Sequence, residues 1–218
     1  MLEFEISRKR PPRKLLLIGA HCDDIEIGMG ATVRRYSERH PEAQILWVTL
    51  SSNEVRAAET RAAGGRLLSR ACDATLFVKS FREGYFPYIG AELKDFFESL
   101  KAQITPDIVF THWRDDLHQD HRIASELTWN TFRDHLILEY EIPKYDGDLR
   151  TPNLYVPISR DELELKLEVL MTCFPSQAHR NWFTPETFRA IARLRGLECN
   201  APEGFAEAFH CRKANFTI

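Results

Sequence analysis

The 218-residue sequence predicts an α/β protein whose mostly parallel sheet is covered by helices on both faces. Three observations lead there. Short continuous apolar runs have the length and content of strands buried on both sides. Amphipathic stretches of helical spacing separate those runs. No internal repeat, low-complexity tract or linker breaks the alternation. Strands alternating with helices build βαβ units, so the expected architecture is a three-layer, Rossmann-like sandwich with residues 1–218 as a single domain.

The elements follow in order. LLLIGA (15–20) is the first strand, and Ile25 to Glu38 carries apolar residues at helical spacing up to Pro41. QILWVTL (44–50) is the second strand, followed by an Ala-, Arg- and Glu-rich helix around Arg56 to Arg70. ATLFV (74–78) is the third. After the turn-rich FREGYFPYIG comes the amphipathic helix AELKDFFESLKAQI. DIVFTH (107–112) is the fourth strand, with a helix beginning near His121. The last third is less regular: EYEIPKYDGDLRTPNLYVPI reads as strand and loop, and RDELELKLEVLMTC and PETFRAIARLRG read as helices. EGFAEAFHCRK contains Glu203, Glu207 and His210, and His210 is read as structural.

Composition narrows the function. A hydrophobic share of 44% with 28% charged residues excludes a disordered or fibrous chain. A formal net charge of −3 argues against a dedicated nucleic-acid partner. The five cysteines are odd in number, scattered and without a CxxC pair, which reads as reduced thiols in a cytoplasmic protein. The charged N-terminal segment does not resemble a signal, the run LLLIG is far too short to span a membrane, and the basic residues from Arg8 to Lys14 read as a solvated leader.

Two polar clusters stand at strand ends, where an open α/β sheet binds its ligands. His21, Asp23 and Asp24 follow the first strand; Asp116, His118, Asp120 and His121 lie just beyond the fourth. Either alone has a plain explanation: Asp23 or Asp24 can cap the next helix, and His118 can be a surface imidazole. Together they offer the imidazole and carboxylate set that suits zinc, although iron or cobalt accept it too. Catalytic zinc takes three protein ligands and leaves a place for water, a count that His21, Asp24 and His121 fill. Asp23 and His118 then remain as acid/base groups.

AHCDDIEIG (20–28) with DLHQDHR (116–122) resembles the LmbE-like, or PIG-L, family of zinc-dependent N-deacetylases. Its members act on N-acetylglucosamine carried on phosphatidylinositol, on conjugates leading to mycothiol and bacillithiol, and on other N-acetylated sugars. The resemblance implies His21, Asp24 and His121 as ligands of one zinc ion. It implies Asp23 as general base and His118 as the group that stabilises the oxyanion and protonates the leaving amine. Asp120 matches the carboxylate that keeps His118 charged, and Arg56, in RAAE, matches an arginine contacting substrate. The partner is then a small N-acetylated sugar or sugar conjugate, and a homo-oligomer is compatible. Cys22 stands where most members have proline, and Ile25 where most have glutamate, with Glu26 next. Cys22 is read as tolerating the proline position.

Arg82, in SFREGYFPY (80–88), is taken as a further substrate contact, while the aromatics around it are read as loop packing. For His112 a supporting role and a substrate contact stand equally, with Trp113 lining the cleft. One variant inside the hydrolase class and two other function classes compete. A deformylase or other amidase would use the same machinery. A binding module for a nucleotide or sugar would be expected to carry GxGxxG, whereas the first turn here bears two acids that would repel a pyrophosphate. A closed structural zinc site would leave the surplus acid/base groups unexplained.

Overall fold

The computed structural model describes residues 11–215. Arg8, Lys9 and Arg10 of the expected leader lie outside the described residues. Seven strands form one sheet: β1 (Lys14–Gly19), β2 (Gln44–Thr49), β3 (Asp73–Val78), β4 (Ile108–His112), β5 (Leu136–Tyr140), β6 (Leu154–Ile158) and β7 (Phe205–Cys211). Their order is β3-β2-β1-β4-β5-β7-β6. Strands β1 to β5 pair in parallel, and β7 is antiparallel to both β5 and β6.

The first strand explains the three layers. Leu15 and Leu17 point into one core with Ile25, Trp47, Leu67 and Leu167, while Leu16 and Ile18 point into another with Phe97, Leu100 and Ala124. A strand that alternates its side chains between two cores must be apolar throughout. Helices α1 (Asp24–Arg39), α2 (Glu54–Leu67) and α5 (Arg160–Cys173) cover the first face; α3 (Gly90–Gln103) and α4 (Gln119–Thr131) cover the second. Helix α6 (Pro185–Glu198) packs against β7. No helix of the described residues is long and apolar enough to cross a membrane.

Strand order reverses between β1 and β4, because the chain runs outward to β3 and then returns to the other side of β1. A crevice opens outside the carboxyl ends of the strands at such a reversal. The two polar clusters follow these two strands.

Helix α1 leaves regular helical geometry at Met29 (φ −152°, ψ 23°). A break strands a carbonyl on one side and amides on the other. Lys166 of α5 donates to the Ile27 carbonyl at 2.6 Å, and Glu207 of β7 accepts the Ala31 and Thr32 amides at 3.0 and 2.7 Å. Lys166 and Glu207 also pair with each other at 2.6 Å. One buried ion pair thus satisfies both sides of the kink. Just before it, Gly28 lies against the Tyr140 ring so closely that a Cβ would sit 2.3 Å from a ring carbon.

Candidate active site

His21 is the second residue beyond β1, and Asp24 is the first residue of α1. The Asp24 carboxylate accepts the His21 N–H at 2.6 Å, which folds the tight turn between strand and helix. Asp23 occupies the N-cap position but makes no side-chain bond to the helix, so capping does not account for it. It instead accepts from the Arg56 guanidinium at 2.9 Å. From the other cluster, α4 begins at Gln119, two residues before the expected start, which places His121 in the first turn. His118 is its N-cap, with Nδ1 accepting the Asp120 amide at 3.2 Å.

Donor atoms of three side chains converge, with one Asp24 oxygen toward each of two imidazoles. His21 Nδ1 lies 3.1 Å from His121 Nε2 and 3.5 Å from Asp24 Oδ2, and His121 Nε2 lies 3.5 Å from Asp24 Oδ1. Donors about 2.0–2.1 Å from a tetrahedral ion stand about 3.3 Å apart, so this set fits a metal ion. The far nitrogen of each imidazole meets a carboxylate. His21 Nε2 is 3.2 Å from Asp120 Oδ2, and His121 Nδ1 is 2.9 Å from Asp116 Oδ2. Such pairs fix the tautomer and aim the other lone pair at a shared centre. His118 also brings a ring nitrogen within 4.8 Å of those of His21 and His121.

The electrostatics agree with a cation there. Burial opposes a charge on His21, but Asp24, Asp120 and Glu83 outweigh it and raise the group to about 10. The same negative field favours a divalent ion. Burial pushes the Asp23 carboxyl up to about 6 against the pull of Arg56. His118 is lowered, first by burial and then by His21.

Asp120 raises the His118 imidazole through space, the direction that the family resemblance implies. Its carboxylate does not pair with His118; it accepts from His21 Nε2 and from the Gly84 and Phe86 amides at 2.6 and 3.2 Å. Those two amides come from the loop after β3, and they leave the acid turned toward His21. Arg56 is buried beside Asp23 and also 3.5 Å from Glu83, an orientation that holds the acid in place. Arg82 is not brought into the cluster: it is exposed, with its guanidinium 3.4 Å from the centroid of the Tyr85 ring.

His112 is fully buried, accepts the Ala20 amide at 2.9 Å and stacks on His121 at 3.9 Å. It groups with Asp24 and His121 as a further donor trio, its Nε2 lying 3.1 Å from Asp24 Oδ2 while accepting the Ala20 amide. Its place is the wall of the site. Cys22 donates to the Ser51 carbonyl, and burial pushes its thiol up to about 12. Trp113 stacks on His210 at 4.8 Å.

One contributor has no sequence signal. Lys144, in the loop after β5, reaches Asp116 Oδ2 at 3.0 Å and also pairs with Asp148. Asp148 accepts the Leu117 amide at 2.7 Å, and Asp116 accepts the His118 amide at 2.7 Å. The loop bearing His118 is therefore tied from below by two acids and a lysine.

Residues 16–132 match the family described as PIG-L: GlcNAc-PI de-N-acetylase. Among solved structures, the chain is similar to N,N'-diacetylchitobiose deacetylase from Pyrococcus horikoshii, with a TM-score of 0.64 and 22% identity over 91% of this chain and 83% of that one. It is similar to a conserved protein from Thermus thermophilus, with a TM-score of 0.73 and 18% identity over 95% and 98%. A third is GalB, the 4-carboxy-2-hydroxymuconate hydratase from Pseudomonas putida, with a TM-score of 0.75 and 16% identity over 94% and 98%. At such identities the likeness is one of fold, and a fold shared by a deacetylase and a hydratase does not choose the reaction. The family match covers more than half of the chain and contains both polar clusters, and the protein belongs to the PIG-L family.

Proposed function

We propose that this protein is a metal-dependent amide hydrolase that removes the acetyl group from an N-acetylated amino sugar or its conjugate. One zinc ion per chain would be held by His21, Asp24 and His121. The observation that carries this reading is the convergence of three donors at 3.1 to 3.5 Å beside a carboxylate, Asp23, that is left over for proton transfer. Bound there, zinc would polarise the amide carbonyl and acidify a water molecule.

The chain's own groups supply the rest. Asp23, at about 6, can take a proton from water and give it up again near neutral pH. The Arg56 guanidinium fixes it in place. His118 Nδ1 already accepts a backbone amide, so its ring N–H lies on Nε2 and can donate a hydrogen bond to the carbonyl oxygen as charge develops there, keeping its proton throughout. Protonating Nδ1 as well would forfeit the amide bond. Asp23 is therefore the carrier that returns the proton to the departing amine, and C–N cleavage then gives acetate and the free amino sugar.

The test is acetate release from N-acetylated sugars, sugar nucleotides and sugar conjugates by zinc-loaded protein, beside Asp23→Asn. Release that falls about 10²- to 10⁴-fold in the variant, with zinc retained, supports the reading. Equal rates would remove Asp23 as base. Absence of acetate across the panel despite bound metal would remove the deacetylase assignment and bring the hydration of a double bond forward.

A further inference from the structure

A cavity of about 330 Å³ is lined by Trp113, Arg114, Glu139, Asn153, His210 and Arg212, and it shares no lining residue with the proposed ligands or proton carriers. Side chains alternate along a strand, so Glu139 shares a face with Ile137, which packs in the core beneath α4. His210, opposite Glu139 across β5 and β7, shares that face. Tyr140, with the His112 ring against it, belongs to the core on the other face. The cavity therefore opens beside α4, across the sheet from the His112 wall of the metal centre.

Its floor is closed. Glu139 is fully buried, and its two oxygens accept the Arg114 amide at 3.1 Å and the Trp129 indole N–H at 2.5 Å. Trp113 and His210 stack with their planes 15° apart. Burial, and then Arg195, lowers His210 to about 4, so its ring is neutral near pH 7 and adds no charge. The Asn153 side chain is occupied by the backbone of Cys211, donating to its carbonyl at 3.0 Å and accepting its amide at 2.8 Å.

The open part of the lining is cationic. Arg114 and Arg212 are both exposed, and both flank Glu139, Arg114 through its amide and Arg212 by lying 4.7 Å over the Trp129 ring that bonds the acid. Arg56 and Arg195, which are buried, each hold a carboxylate, whereas among the described residues no ion pair engages Arg114 or Arg212. Of the two acids in the lining only Asp115 is exposed. Two guanidiniums against one exposed carboxylate leave a surplus of forked N–H donors, which match the geometry of a carboxylate or a phosphate. Asp115 and Glu139 offset the long-range field, so selection of an anion here rests on direct hydrogen bonds. The volume exceeds that of a single inorganic ion, and the Trp113–His210 pair offers an aromatic wall to the rest of the ligand.

We propose that Arg114 and Arg212 form a binding site for a small organic oxyanion, separate from the metal centre. The site does not depend on the deacetylase reading, and its test reads binding without acetate release.

Zinc-loaded protein is titrated with phenyl phosphate, benzoate and phenol by calorimetry. At least one of the two anions should bind, and phenol, their uncharged counterpart, should not. Arg114→Gln and Arg212→Gln, both at exposed positions, should each weaken the anion about 10-fold, the loss of one charge-assisted hydrogen bond, with zinc content and melting temperature unchanged. Anion binding that both substitutions leave intact would place the ligand elsewhere, the metal included, and overturn the site. Phenol bound as tightly as the anions would overturn the oxyanion as occupant, and failure of both anions to bind would remove the site altogether.

Discussion

Asp120→Asn separates the geometry of this site from the role that family resemblance implies. The acid accepts three hydrogen bonds, from His21 Nε2 at 3.2 Å and from the Gly84 and Phe86 amides at 2.6 and 3.2 Å. An asparagine of the same shape offers one oxygen, so its amide group must face at least one of those donors. If the oxygen stays with His21 and Gly84, the Phe86 amide is orphaned and His21 loses a charged partner. Removing the carboxylate behind a ligating imidazole lowers metal affinity about 10- to 100-fold, or about 1.4 to 2.8 kcal/mol. The assay is competition for zinc with a chromophoric chelator, followed by kcat at saturating zinc. Weakened zinc binding with kcat largely restored by excess metal is the expected result. A variant that binds zinc like wild type yet loses kcat 10²-fold or more would refute the reasoning and return Asp120 to His118.

Other outcomes follow from the same contacts. His121→Ala removes one of three donors and should abolish stoichiometric zinc, whereas His118→Ala should retain it and lose rate; equal loss of metal in both, by metal analysis after dialysis, would reverse the two roles. Lys144→Met removes the cation 3.0 Å from Asp116 and should weaken zinc about 10-fold through His121, read by the same chelator competition; unchanged affinity would make Lys144 a loop fastener only. Gly196→Ala would place a Cβ 2.2 Å from the Gly204 oxygen and 2.5 Å from the Phe205 nitrogen. Backbone cannot move aside as a side chain can, so a loss of about 1–3 kcal/mol is expected, with a fall of about 2–4 °C in Tm per kcal/mol. An unchanged melt would contradict the packing of α6 on β7.

Four of the five parallel strands were legible as short apolar runs. Strands β1, β2 and β4 are buried on both faces, and β3 keeps the pattern although it lies half-buried at the edge. Strand β5 (Leu136–Tyr140), which carries Glu139, was not legible as a separate strand. Nor was the position of β7. Its insertion between β5 and β6 depends on pairing across the whole last third, as in Glu139 opposite His210, and no local pattern encodes such a partner. Convergence of His21, Asp24 and His121 could be anticipated from strand ends alone. What Asp120 touches could not, because it depends on amides of Gly84 and Phe86 more than thirty residues earlier in the chain. Lys144 was invisible for the same reason. It lies in a loop without periodicity and acts on an acid whose importance appears only once His121 is seen beside it.

These long-range contacts change what the matched segment means. Residues 16–132 hold every candidate ligand and proton carrier, and several of the groups that brace them lie beyond residue 132. Tyr140 of β5 donates to the Ile18 carbonyl at 2.6 Å and presses against Gly28. Lys144 and Asp148 brace Asp116 and the His118 loop. Lys166 and Glu207 bridge the break at Met29, only five residues after Asp24, and so keep the first turn of α1 in register with the rest of the helix. A buried ion pair that loses one member leaves an uncompensated charge, at a cost of about 3–5 kcal/mol. Placed at a kink next to the proposed ligands, the pair ties the geometry of the centre to the docking of α5 and β7. The last third thus acts as the frame that gives a short list of polar residues one arrangement, and a metal centre needs that arrangement more than it needs the list.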